Sequence, residues 1–162
     1  MTPRILIVDD DPDMLELLRL ALTDTGFAVS TAADGKEALR KALRAPPDLV
    51  VLDLLLPGMN GFSVCEQLRL NPVTATVPVL MITVLPGEFP RLVGVEAGAD
   101  AYLNKPFGME EFVSCVSDLI HRHRVGAEVR VAAPEPATGE AMPLCLESRA
   151  APETLLRLNS RA

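Results

Sequence analysis

Short Val/Ile/Leu-rich runs recur along the first two thirds of the chain, separated by stretches whose apolar residues return every three or four positions. Arg4-Val8 is apolar without alternation, which predicts a strand buried on both faces. From Pro12 to about Thr25, residues Met14, Leu15, Leu17, Leu18, Ala21 and Leu22 keep a helical spacing that Gly26 stops. Phe27-Thr31 is a short strand. Asp34 to Arg44 is a helix opened by Asp34 and closed by Pro46-Pro47. Asp48-Leu52 is a strand running into Asp53. Pro57-Gly61 is a turn, and Phe62-Leu70 a helix ended by Asn71-Pro72. Val77-Ile82 is a strand, Glu88-Ala97 a helix ended at Gly98, Ala99-Leu103 a strand, and Met109-His123 the last helix.

Five strands alternating with five helices predict an α/β fold: a doubly wound parallel sheet with helices on both faces. Right-handed crossovers prune the topologies. A flavodoxin-like order 2-1-3-4-5 brings the ends of strands one, three, four and five together.

The pattern changes after Arg124. Residues 125–162 carry Pro134, Pro136, Pro143 and Pro152 among many Ala and Glu, with no sustained period. Ala127-Val131 could form a short strand and Glu153-Leu158 a helical turn or two. The expected division is therefore a folded domain over 1–124 and a flexible tail over 125–162.

The net charge of −7 excludes the basic stripes of a general nucleic-acid or membrane-surface binder. No apolar stretch is long enough to span a membrane. Acidic residues follow Met1 too closely for a signal peptide, so a cytoplasmic protein is expected. Cys65, Cys115 and Cys145 form no CxxC pair, which suggests reduced thiols.

The chemistry gathers where the strands end. Asp9 and Asp10 follow the first run, Asp53 the third, Thr83 the fourth and Lys105 the fifth. Open α/β sheets bind ligands at that edge. Three carboxylates crowded there repel one another unless a hard divalent cation joins them. An aspartate among them can act as a nucleophile toward phosphorus. Phosphoryl transfer asks for positioning and charge neutralisation more than for covalent help. Asp9 and Asp10 could instead be helix-start carboxylates, but their coincidence with Asp53 favours a site. Asp11, before Pro12, is read as the cap. Thr83 and Lys105 are each unremarkable alone. Tyr102 is most simply half-buried packing. His121 and His123 fall on different helix faces, which argues against a metal pair.

The stretches ILIVDDD at 5–11, VLDLLLPGMNG at 51–61, PVLMIT at 78–83 and EAGADAYLNKPF at 96–107 occur in order. Together they make the chain resemble the receiver domain of bacterial two-component response regulators, over residues 3–123. The resemblance implies Asp53 as phosphoacceptor and Mg²⁺ held by Asp9, Asp10, Asp53 and the Leu55 backbone carbonyl. Asp10 would be the direct ligand of the acidic pair. It implies Thr83 and Lys105 on the phosphoryl group, Thr83 with Tyr102 as the switch, and a cis Lys105-Pro106 bond. A sensor histidine kinase or histidine phosphotransfer protein would be the donor. A downstream protein would be the reader, with a homodimer on phosphorylation left open.

The expectation is a stand-alone phosphorylation switch without separate enzymatic turnover, without direct DNA binding and without a membrane partner. The alternative is a receiver-like interaction module that works without phosphorylation; the presence of all five site residues counts against it. A haloacid-dehalogenase-type hydrolase would need an aspartate two residues after Asp53, where Leu55 stands. Three positions depart from the resemblance. Val84 replaces a small residue, while Leu55 and Leu85 put apolar bulk beside the acceptor. Pro86 and Pro90 crowd the start of the fourth predicted helix.

Overall fold

The structure is a computed structural model describing residues 1–85, 92–93, 95–129 and 146–147. Its strands are β1 (Arg4–Val8), β2 (Ala28–Ala32), β3 (Leu49–Asp53), β4 (Val79–Thr83), β5 (Ala101–Asn104) and β6 (Leu146–Glu147). Its helices are α1 (Pro12–Asp24), α2 (Gly35–Arg44), α3 (Gly61–Leu70) and α4 (Met109–Val129). Residues 92–93 and 95–96 are also helical. The sheet order is β2-β1-β3-β4-β5-β6. The first five strands pair in parallel, in the expected order 2-1-3-4-5.

Alternation along the central strands divides the core. Leu6, Val8, Val50, Leu52, Val79, Met81 and Tyr102 pack with Ala38 and Ala42 of α2 and Val64, Cys65 and Leu68 of α3. Ile5, Ile7, Leu49, Val51, Leu80, Ile82, Ala101 and Leu103 face Leu18 and Leu22 of α1 and Phe112, Val116 and Leu119 of α4. Both faces are covered, so these strands read as continuous apolar runs.

Local chemistry fixes the helix starts. The Asp11 carboxylate accepts from the Asp13 and Met14 amides, with Pro12 in the first turn. Asp34 accepts from the Glu37 amide, and Glu37 reaches back to the Ala33 amide, a reciprocal cap. Asn60 caps α3 through the Ser63 amide.

Five details differ from the expectations. β3 and β4 include Asp53 and Thr83 as their last residues, so both side chains are anchored in regular backbone. Residues 127–129 continue α4 rather than forming a strand; nothing caps the helix at His123, and Gly126 costs it only about 1 kcal/mol. Tyr102 is 5% exposed, fully buried rather than half-buried. Cys65 is a free buried thiol, its pKa pushed up to about 11 by burial, whereas Cys115 is disulfide-bonded and not a reduced thiol. β6 was not foreseen: two residues carry no detectable period. The expected helix start at Glu88 and the turns at Glu153-Leu158 lie outside the described residues, as does most of the expected tail.

Candidate functional site

The site forms because four strands end side by side. β3 lies between β1 and β4, with Val8 beside Leu52 and Asp53 beside Ile82. β5 follows β4, with Thr83 beside Asn104. Asp9 and Asp10 leave β1, Asp53 ends β3, Thr83 ends β4, and Lys105 follows β5. The Lys105 amide donates to the Thr83 carbonyl at 2.7 Å, and the Leu54 amide to the Ile82 carbonyl at 2.9 Å. The ladder thus extends one step past the strands and holds the site residues in register. The Lys105-Pro106 bond is cis.

The loop after β3 is drawn tight against the site. The Gly61 amide donates to the Leu54 carbonyl at 2.9 Å. A Cβ at Gly61 would collide with the Asp53 carbonyl oxygen, so only glycine permits this approach.

Lys105 is the electrostatic centre. Its Nζ lies 2.9 Å from Asp9 Oδ2 and 3.2 Å from Asp53 Oδ2. Asp9 Oδ1 accepts from the Asp11 amide at 2.9 Å, and Asp53 Oδ1 from the Leu55 amide at 3.2 Å. Burial raises the Asp53 pKa, the nearby Asp9 charge adds to that, and Lys105 works against both. Burial also opposes the Lys105 charge, yet the Asp9 hydrogen bond and the two carboxylate charges leave its pKa raised.

Asp9 and Asp53 are buried while Asp10 is exposed. Carboxylate oxygens of the three lie within 4.8 Å of one another. One ammonium cannot neutralise three carboxylates. The remaining negative charge, offered by oxygen atoms alone, suits a hard divalent cation such as Mg²⁺. Asp10 has the water-exposed position such an ion would approach from.

Thr83 is fully buried, and its hydroxyl accepts from the Leu85 amide at 3.1 Å. The hydroxyl is thus turned to its own loop, with its proton left to donate elsewhere. Tyr102, from β5, is buried on the α2/α3 side of the sheet. Leu55, Val84 and Leu85 are 47%, 57% and 37% exposed, an apolar rim at the same edge. The structure therefore brings Asp9, Asp53 and Lys105 into contact and sets Asp10 and Thr83 at the same edge. Sequence reasoning missed that Asp9 pairs directly with Lys105. The two are 96 residues apart, and no local signal links them.

Comparisons with known proteins identify the family and the fold. Residues 5–117 match the family model described as the response regulator receiver domain. The chain is 44% identical over 120 residues to a DNA-binding dual master transcriptional regulator, RpaA, of Synechocystis, covering 74% of this chain and 50% of that one. It is 42% identical over 127 residues to the alkaline phosphatase synthesis transcriptional regulatory protein PhoP of Bacillus subtilis, covering 78% and 52%. The chain thus spans about half the length of these relatives. Among solved structures it resembles a putative response regulator from Chloroflexus aurantiacus (TM-score 0.72, 40% identity, 75% of this chain and 100% of that one). It also resembles the chemotaxis protein CheY4 of Vibrio cholerae (TM-score 0.71, 32% identity, 74% and 99%). No helix among the described residues is long and apolar enough to cross a membrane.

Proposed function

The chain belongs to the response regulator receiver domains of two-component systems, and from that premise we propose that it is a phosphorylation switch with Asp53 as its acceptor. The observation that carries the proposal is the shared ammonium: Lys105 holds Asp9 and Asp53 together at the open edge of the sheet. An Asp53 carboxylate oxygen attacks the phosphorus of a phosphohistidine. The oxygen–phosphorus bond forms as the phosphorus–nitrogen bond breaks, and the histidine nitrogen leaves with its electron pair and takes up a proton. The product is an aspartyl phosphate. The donor is a sensor histidine kinase or a histidine phosphotransfer protein.

Each residue has a part in that transfer. The buried position of Asp53 strips water from the nucleophile, and Lys105 opposes its protonation. The Leu55 amide fixes the second carboxylate oxygen, leaving the group little rotational freedom. Asp9, Asp10, Asp53 and the Leu55 carbonyl would hold Mg²⁺. When bound, Mg²⁺ would neutralise charge on the phosphoryl oxygens. Thr83 donates its hydroxyl to the new phosphoryl group, and Lys105 pairs with it.

That rearrangement changes the surface that a downstream protein reads. Because Tyr102 is already buried, the change begins with Thr83 and its loop, without an inward swing of Tyr102. The protein works in the cytoplasm, assists only its own phosphorylation and dephosphorylation, and turns over no separate substrate.

The test uses acetyl phosphate as donor. Wild type with Mg²⁺ should gain one phosphoryl group by intact mass. Asp53→Asn should gain none, and EDTA should block the wild type. Full modification of the Asn variant contradicts the assignment.

A further inference from the structure

We propose that the outer edge of β5 is a strand-acceptor site, that the chain's own Leu146–Glu147 segment occupies it, and that this occupancy holds Tyr102 in its buried position.

The sheet itself makes the case. β5 is the last of five parallel strands, and its far edge presents backbone donors and acceptors with no sixth parallel strand to meet them. With β6 in place Ala101, Tyr102 and Leu103 are buried, and the backbone groups of a buried edge need partners. β6 fills it, with Ala101 opposite Glu147 and Tyr102 opposite Leu146. It runs antiparallel, unlike every other pair in the sheet. It is therefore an added strand, not a continuation of the alternating strand–helix pattern.

The pairing is also short. β4 and β5 are in register over four residue pairs, and β5 and β6 over two. A strand this short adds few bonds for the backbone it must order, so the pairing is open to disruption by substitution within it. This is the geometry of strand addition at a sheet edge.

Tyr102 stands where the consequence falls. Its backbone is in register with Met81 on one side and Leu146 on the other, and its ring lies in the α2/α3 core. β6 thus clamps the residue between two strands. Lys105 follows β5 directly, so whatever shifts this strand shifts the ammonium of the site. That link to Lys105 rests on the proposed function; the strap itself does not.

Tyr102 is the one tyrosine, and the chain has no tryptophan. Its emission therefore reports this one side chain. The test compares the full chain with a variant carrying Leu146→Pro and Glu147→Pro, without any phosphodonor, because proline cannot donate to a strand ladder. Acrylamide quenching of tyrosine emission should strengthen several-fold in the variant. Amide hydrogen exchange at Ala101 to Leu103 should quicken at the same time. A variant with glycine at both positions, which keeps the donors but disfavours the strand, should fall between the two. It serves in place of the proline pair if that chain does not fold. Quenching or exchange unchanged from wild type overturns the proposal. Since no phosphoryl group enters the experiment, this result is separate from the identity of the acceptor.

Discussion

Two ion-paired clusters among the described residues differ in charge balance, and the contrast separates a structural cluster from the proposed site. At the start of β4 and β5, Arg69 reaches from α3 into a set of matched partners. Its Nε donates to the Gly98 carbonyl at 2.9 Å and Nη1 to the Val77 carbonyl at 2.7 Å, while Nη2 meets Asp100 Oδ2 at 2.7 Å. Asp100 Oδ2 also accepts from the Val79 amide at 2.9 Å. Arg69 faces Asp100, and carbonyls take its remaining donors. At the other end of the strands, Lys105 faces Asp9 and Asp53, with Asp10 close by. That cluster is left with surplus negative charge. The first ties α3 to the sheet; the second keeps surplus negative charge, which under the proposed function a cation would balance.

The contrast is open to attack, beginning with its largest effect. Arg69→Ala removes the cation beside the half-buried Asp100 and the bonds to three carbonyls. Breaking such a pair should cost about 3 kcal/mol of stability, read from urea unfolding. A loss below about 0.5 kcal/mol would deny the cluster its structural role.

Mg²⁺ comes second. At a free concentration of about one hundred times its Kd, the ion should stabilise wild type by about 2.7 kcal/mol. Asp10→Asn should lose most of that gain, while Arg69→Ala keeps it. Thermal scans with and without the ion decide the matter, and equal gains in all three chains would erase the distinction.

The apolar rim predicts a lifetime. Neither Leu55 nor Leu85 can orient a water for attack on the phosphoryl group. Replacing them together by Leu55→Asn and Leu85→Glu should speed hydrolysis by about tenfold, roughly 1.4 kcal/mol of barrier. Val84, exposed beside them, is left in place. Release of inorganic phosphate at the wild-type rate would show that the rim does not set the lifetime.

The smallest effect concerns pH without Mg²⁺. Asp53 has a raised pKa in the fold, so the native state holds its proton to higher pH than the unfolded chain does. The stabilisation this gives is complete below the unfolded value of 3.8 and is lost as pH rises through the folded value. Asp53→Asn should remove that decline and match or exceed wild-type stability at neutral pH by up to about 1 kcal/mol. Lys105 acts at the alkaline end: its stabilisation is present below 10.5 and lost as pH climbs through its raised folded value. Asp53→Asn less stable than wild type at neutral pH would place the acidic cluster with the structural one.

The same contrast explains what was legible in the sequence. The five site residues stand at the ends of apolar runs, so once the strands alternate with helices, topology alone brings them to one edge. Asp11 and Asp34 announce their helices through capping, which acts within three residues. The Arg69–Asp100 cluster gave no such signal. The two residues are 31 apart, and an arginine near a helix end reads as surface until tertiary structure buries it. β6 escaped because two residues show no period, and α4 ran past His123 because helix continuation depends on the absence of a stop. Tyr102 read as half-buried because it lies on the last of five predicted strands, whereas in the fold its ring packs in the α2/α3 core.

The destination of the phosphoryl group decides the function. Wild type treated with acetyl phosphate and Mg²⁺, then reduced with borohydride, converts an aspartyl phosphate to homoserine at the modified position. Peptide mass mapping should find homoserine at residue 53 and at none of residues 9, 10, 11 or 100. Homoserine at Asp9 or Asp10 with Asp53 intact would contradict the central claim that Asp53 is the acceptor.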